Sequence, residues 1–200
     1  MSCVQGKKLH SRAIPIYHNP FASANEIREL ANRYVQVDAK NPITEQHCLD
    51  AGCKLRQGLE ERTSLRTIFR WKLQAYLRRF SRFRDFPCSL ANEEITFALA
   101  PARTVDFSNN HSISHALRVL DSLPYVGVPV ASAILMSMYP NDLTIIDRQA
   151  YKMLNAEFRD PISPLEYLSY LNFCRSQAKE FGVTIREYDR ALWQAGNDAS

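Results

Sequence analysis

One carboxylate, Asp147, follows a stretch of sequence that predicts a sharp apolar turn between two helices. Pro124 is expected to end the first helix, because a proline pushes the residue before it out of helical dihedral angles. Pro129 then begins the second helix with its preset φ. Gly127, between the two prolines, is predicted to reverse the chain at a positive φ. The pattern therefore predicts an αα-hairpin over residues 123–131.

The turn is predicted to offer backbone donors at the start of the second helix. A helix N-terminus favours an anion, because its first N–H groups have no helical partner and the helix dipole is positive there. The donors in question are the N–H groups of Gly127, Val128, Val130 and Ala131. A phosphate can bind to such donors without any charged side chain. A hairpin that serves packing alone would explain the same sequence equally well.

Chain length allows Asp147 to return to this hairpin. Eleven helical residues from Pro129 rise about 16 Å, and the extended residues 140–146 can span about 23 Å back. A carboxylate beside a phosphate-binding turn suggests that it meets developing positive charge, such as that on a sugar losing its base. The simpler interpretation is that Asp147 caps a helix beginning at Arg148. One aspartate can do both.

The positive charge of the chain is concentrated in one segment. Residues 62–84 contain eight basic residues and no acidic one, so the +4 chain is net −4 elsewhere. Such a segment is suited to polyanions. We expect DNA phosphate contacts from some of these side chains, with plain solvation as the alternative, and Lys72 could instead be a lyase nucleophile if it lies buried at a cleft. The candidates are Arg66, Arg70, Lys72, Arg78, Arg79 and Arg82.

Capping signals and apolar spacing predict an all-α protein of about eight helices, because no stretch alternates at period two. We expect one helical lobe over residues 23–143 and a second over residues 1–22 plus 144–200, which carries Asp147. The predicted helix boundaries include starts at Ser23, Thr44, Thr63, Ser89, Ser112, Pro129, Ser163 and Thr184, and stops before Pro101, at Gly182 and at Gly196.

Composition excludes several classes of protein. A content of 46% hydrophobic and 23% charged residues is typical of folded domains. No apolar stretch is long enough to span a membrane, and no apolar region follows the charged N-terminus as in a secretory signal. Five scattered cysteines indicate reduced thiols rather than disulfides or a metal site. We therefore expect a cytoplasmic, nucleoid-associated or nuclear protein that is not secreted and holds no metal.

The hairpin resembles that of the helix-hairpin-helix (HhH-GPD) DNA glycosylases. Residues 123–131, LPYVGVPVA, are similar to the family pattern L-P-G-V-G-x-x-x-A, and Ile146-Asp147 is similar to its V-D. The resemblance implies that Asp147 is the catalytic acid. It also implies that Val126, Gly127 and Val128 grip a DNA phosphate, often with a bound monovalent cation. Pro129 stands where bifunctional members carry their lysine nucleophile, so no Schiff base is expected from that position.

The sequence departs from the family pattern next to both features. Tyr125 replaces the first hairpin glycine, and Arg148 and Gln149 replace a small residue and a histidine. We expect that the Arg148 guanidinium can pair with Asp147. Stacking on an extruded base would require aromatic rings, and the candidates, each of which also fits a core position, are Trp71, Tyr151 and Trp193.

These features lead to one hypothesis and two rivals. The hypothesis is a monofunctional DNA glycosylase that acts as a monomer on double-stranded DNA with a damaged or mispaired base, with no cofactor beyond a monovalent cation at the hairpin. One rival is a non-catalytic helix-hairpin-helix DNA-binding protein. The other is a helical protein-interaction domain without a nucleic-acid role.

Overall fold

A computed structural model describes residues 14–77, 86–158 and 161–199. These residues form nine α-helices and no strand, which confirms the all-α prediction. The helices are α1 (Ala24–Asp38), α2 (Glu45–Arg56), α3 (Glu61–Leu77), α4 (Asn92–Arg103), α5 (Asn110–Asp121), α6 (Val128–Met138), α7 (Arg148–Met153), α8 (Pro164–Phe181) and α9 (Ile185–Asp198).

Several helix ends are where the capping signals predict them. The Ser23 side chain accepts a hydrogen bond from the Glu26 N–H at 3.2 Å and begins α1. Ser163 forms a reciprocal capping box with Glu166 at the start of α8. Gly182 ends α8 in the left-handed conformation, with φ of 61°. Local side-chain chemistry therefore fixes these boundaries.

Two predicted stops and one start are wrong. Helix α4 begins at Asn92, after a turn that contains Ser89, and continues through Pro101. Proline is tolerated there because it lies in the last turn, where it removes one hydrogen bond and its own carbonyl still accepts from Thr104. Helix α9 likewise continues past Gly196, which packs inside the protein rather than ending the helix.

The helices share one hydrophobic core. Helix α9 packs against α1, α7 and α8, while α2 packs against α3 and α6, and α5 contacts α4, α6 and α8. The core includes Leu143 and Ile145, on the two sides of the predicted lobe boundary. The division into two lobes stays a prediction.

Among the helices described, none combines the length and the apolar character needed to cross a membrane.

Candidate functional site at Asp147

The segment that carries Asp147 is held against the hairpin helix α6. The Ile146 N–H donates to the Ser132 hydroxyl at 3.2 Å, and that hydroxyl donates to the Pro129 carbonyl at 2.9 Å. Ile146 is buried in the core, whereas Asp147 is only partly buried. One serine of α6 thus connects the residue before Asp147 to the first turn of that helix.

Asp147 is the N-cap residue of α7. Its backbone is extended, and its Oδ1 accepts a hydrogen bond from the Gln149 N–H at 2.9 Å. Helix α9 fixes the position of α7 from the other side, because a Cβ on Gly196 would lie 2.2 Å from the Gln149 carbonyl oxygen. Only glycine permits that approach. The close contact therefore sets where the carboxylate lies.

The second oxygen of Asp147 pairs with Lys72 of α3. The Lys72 Nζ donates to Oδ2, across 75 residues of sequence, and the two side chains are 10% and 22% exposed. Burial raises the pKa of Asp147, but the Lys72 charge and the hydrogen bonds from Lys72 and Gln149 outweigh it and lower that pKa below its ordinary value. Asp147 is therefore a carboxylate at neutral pH.

Asp147 and Lys72 border a cavity of about 620 Å³, the Asp147 cavity. This volume is within the range of small-molecule sites. Two indoles lie in its walls: Trp71 donates from Nε1 to Asp38 at 3.1 Å, and Trp193 contacts the Tyr34 ring edge to face at 5.3 Å. The remaining lining residues are Val37, Asn41, Gln74, Ile145, Arg148, Gln149, Arg186, Asp189 and Asn197.

A second set of ion pairs, the inner cluster, consists of Glu45, Arg186, Asp189 and Arg190, of which Arg186 and Asp189 also line the cavity. Arg186 bridges Glu45 at 2.7 Å and Asp189, and Arg190 reaches Glu45 at 2.6 Å. Burial raises the pKa of Glu45, but the two guanidinium groups prevail and lower it to about 2. Burial raises the pKa of Asp189 despite Arg186. The inner cluster thus joins α2 to α9.

The hairpin turns at a different residue from the one predicted. Tyr125 adopts the positive φ, 64°, whereas Gly127 has φ of −85° and is the N-cap of α6. The Val130 and Ala131 N–H groups both donate to the Gly127 carbonyl at 2.9 Å, and the Val126 N–H donates to Leu123. These three amides are therefore not the unpaired donors that the sequence predicts, because the turn is tight enough to use them internally.

The remaining amides and side chains of the turn differ in exposure. Gly127 is exposed at the surface, while the side chains of Val126, Val128, Val130 and Ala131 are buried. None of these five residues is among those lining the Asp147 cavity. The hairpin residues and the residues lining the Asp147 cavity are therefore two separate sets.

The basic residues of the 62–84 segment have different surroundings. Arg66 and Arg70 are exposed on α3, as phosphate contacts require. Arg62 instead donates to the Pro87 and Leu90 carbonyls, both at 2.6 Å, and holds the chain before α4. Lys72 points into the Asp147 cavity. The predicted contacts at Arg78, Arg79 and Arg82 lie outside the described residues.

Two expectations about the neighbours of Asp147 do not match the structure. Tyr151 does not line the cavity, because its ring is buried in the core and its hydroxyl is 2.7 Å from that of Tyr17. The Arg148 guanidinium lies over the Phe158 ring at 5.7 Å, and Lys72 forms the ion pair with Asp147 that was expected of Arg148. Tyr151 instead takes the core position that was the alternative for each aromatic candidate.

Sequence reasoning missed the Lys72–Asp147 pair and the inner cluster. Lys72 was predicted as a phosphate contact or, if buried at a cleft, as a lyase nucleophile, and no local pattern connects it to Asp147. Asp38, Arg186 and Asp189 carry no motif at all.

Comparisons with protein-family models, curated protein sequences and solved structures return no significant match. The geometry at Asp147 therefore carries the functional argument.

Proposed function

We propose that this protein is a DNA glycosylase-like enzyme that hydrolyses the N-glycosidic bond of a damaged or mispaired base. The observation that carries the proposal is the Asp147 carboxylate, held ionised in the wall of a base-sized cavity that two indole rings also line. Asp147 would stabilise the oxocarbenium-like sugar and orient the attacking water. The products would be a free base and an abasic site.

The cavity supports recognition of a flipped base. Enzymes that act on a base in duplex DNA extrude it into a pocket and stack it on aromatic or apolar groups. Trp193 and Trp71 supply such surfaces, and Trp71 is held in place by its hydrogen bond to Asp38. A polar edge of the base would meet amide side chains of the lining, such as Asn41 and Gln74.

Exposed cations on α3 support DNA as the partner. Arg66 and Arg70 are one helical turn apart and both exposed. Each phosphate contact contributes about 0.9 to the slope of log affinity against log salt concentration. Replacing both arginines with glutamine should therefore lower that slope by about 2, equally for undamaged and damaged duplexes.

A non-catalytic DNA-binding protein is the second candidate, and one observation favours it. Both oxygens of Asp147 already have partners, Gln149 and Lys72, so the carboxylate has a structural role without any substrate. Such a protein would keep the salt-dependent affinity and release no base. Incubation of the wild-type protein with a panel of damaged duplexes separates the two candidates.

The direct test of the enzyme is Asp147→Asn. Asparagine caps a helix as well as aspartate does, so folding should be retained while the charge is lost. We expect base release to fall by about 10²- to 10³-fold or more with DNA affinity little changed, and Tm to fall by a few degrees because Lys72 loses its counter-ion. Asp50→Asn, at an exposed carboxylate of α2, is the matched control and should keep full activity. Undiminished turnover by Asp147→Asn would refute the mechanism.

A further inference from the structure

The Lys72–Asp147 pair presents two opposite charges to one cavity. Lys72 comes from α3 and Asp147 from the start of α7, and both line the cavity together with Trp71 and Trp193. Their side chains are 10% and 22% exposed, so the pair is largely shielded from solvent without being sealed in the core. A ligand in this cavity would therefore share its walls with both charges.

Lys72 is separated from the exposed cations of the same helix. At about 100° per residue, it lies roughly 120–160° around α3 from Arg66 and Arg70. Those two arginines are exposed, whereas the Lys72 ammonium is engaged with Asp147. Withdrawing Lys72 to a DNA phosphate would leave a partly buried carboxylate without its counter-ion, which is costly. The geometry thus gives Lys72 a different task from its neighbours.

Cleavage of an N-glycosidic bond itself separates charge. The bond electrons leave with the base nitrogen, so positive charge grows on the sugar and negative charge on the departing base. A fixed carboxylate stabilises the first and a fixed ammonium the second. The Lys72–Asp147 pair has one group for each half of this transition state.

We infer that Lys72 is a second catalytic residue, whose ammonium donates a proton to the departing base while Asp147 faces the sugar. The inference rests on the proposed function. It also defines the substrate class: neutral bases, which would otherwise leave as anions. A base that is already cationic leaves as a neutral molecule and needs no proton.

The atoms balance without a cofactor. The C1′–N bond breaks with its electron pair going to the base, and a proton of Lys72 Nζ passes to that base. The oxygen of a water molecule bonds to C1′, and the proton released by that water returns through Asp147 to Lys72. The net change is hydrolysis, with both side chains restored.

The test compares leaving groups in Lys72→Met and Lys72→Arg. The substrates are duplexes with uracil, hypoxanthine or 8-oxoguanine, which are neutral, and with 7-methylguanine, which is cationic. We expect Lys72→Met to lose about 10²- to 10⁴-fold in single-turnover release of neutral bases, as loss of a general acid does, and less than about threefold with the cationic base. If only neutral bases are substrates, a fluorinated, better-leaving analogue should show a smaller loss.

Lys72→Arg distinguishes the loss of a proton donor from a folding defect. Arginine keeps the charge opposite Asp147 but does not release its proton in proteins, so it should preserve Tm and remain deficient with neutral bases. Lys54→Met removes a lysine from an exposed pair with Glu60, 45% and 57% exposed, and should behave like wild type.

Several results would overturn the inference. Equal losses with neutral and cationic bases, full rescue by Lys72→Arg, or release of cationic bases alone would each do so while leaving a glycosylase in place. A borohydride-trapped enzyme–DNA adduct that disappears in Lys72→Met would make Lys72 a nucleophile instead. Failure of the wild-type protein to release any base would refute the proposed function, and the inference with it.

Discussion

Two sets of ion pairs border the Asp147 cavity, and they differ in how far each is buried. In the inner cluster the side chains of Glu45, Asp189 and Arg186 are 5%, 4% and 10% exposed. The Asp147 side chain is 22% exposed, and its partner is a single lysine. Both sets connect helices and reach the cavity, but the carboxylate of the Lys72–Asp147 pair is the more exposed one.

This difference accords with a structural role for the inner cluster and with the catalytic role proposed for Asp147. A buried carboxylate with two guanidinium partners, such as Glu45, has no oxygen left for a ligand and serves to join α2 to α9. Asp147 is instead hydrogen-bonded to one lysine and one backbone N–H, and it lines the cavity. Perturbed pKa values occur in both places, so a shifted pKa alone does not identify a functional carboxylate.

The largest effect on stability should come from breaking the inner cluster. Arg186→Met leaves Asp189 without its buried counter-ion and Glu45 with only Arg190, and removal of one partner of a buried pair costs about 3–5 kcal/mol. We expect that loss in the free energy of unfolding, measured with urea. Asp147→Asn should cost much less, about 1 kcal/mol, because the cap is kept.

Arg33→Met is the matched control for Arg186→Met. Arg33 pairs with Asp198 at 2.9 Å on the surface, where the side chains are 57% and 33% exposed. Exposed pairs contribute at most about 1 kcal/mol. Similar losses in the two arginine variants would contradict the distinction between a buried structural cluster and surface charge.

We expect acid to lower the free energy of unfolding mainly by protonating Glu45. Its pKa is about 2 in the fold against an ordinary 4.5, because Arg186 and Arg190 outweigh burial. A lowered pKa contributes stability that is complete above the ordinary value and is lost as the pH falls through the folded one. The difference corresponds to about 3 kcal/mol between about pH 5 and pH 2. Asp189, with its raised pKa, works in the opposite direction and offsets part of the loss.

Urea unfolding at several pH values tests this expectation. Glu45→Gln should be less stable than wild type near neutral pH, and its stability should change less between pH 5 and pH 2, because the titrating group is gone. An unchanged pH dependence in Glu45→Gln would assign the acid sensitivity to other carboxylates, Asp147 among them, whose pKa is also lowered.

The helical fold and several helix ends could be predicted from sequence because their causes are local. Ser23, Ser163 and Gly182 act on residues three or four positions away, so a capping signal is sufficient. The hairpin was predicted for the same reason, but the residue with positive φ was not. Tyr125 accepts a conformation that favours glycine because the turn between Leu123 and Gly127 requires it there.

The candidate site could be predicted only in part. Asp147 could be predicted from its distance along the chain after the hairpin. Trp71 and Trp193 could be predicted because their rings can stack on a base. The Lys72–Asp147 pair joins residues 75 positions apart, and packing of α3 against its neighbours decides it. Arg148 was the expected partner because it is adjacent in sequence. The Arg148 guanidinium lies over the Phe158 ring instead, so residues adjacent in sequence at the start of a helix need not contact each other.

The last comparison concerns two glycines, and it shows how the two sets of ion pairs keep their relative positions. Gly196 is where α9, which carries Arg186 and Asp189, meets the α7 backbone at Gln149. Gly196→Ala should cost about 1–3 kcal/mol, because its Cβ would overlap a backbone carbonyl and α7 would have to shift.

We expect the proposed base release to be slower in Gly196→Ala, because the shift of α7 displaces Asp147. The pH dependence of the free energy of unfolding, which comes from the inner cluster, should stay as in wild type. Gly127→Ala is the control, since its Cβ would meet only Pro129 Cδ at 3.6 Å and its φ is ordinary. We expect a change in stability within about 0.5 kcal/mol. Urea unfolding and single-turnover base release of both variants measure the two effects. Equal stability losses in the two would contradict this role of Gly196, because of these two glycines Gly196 is the one that lies against another helix's backbone.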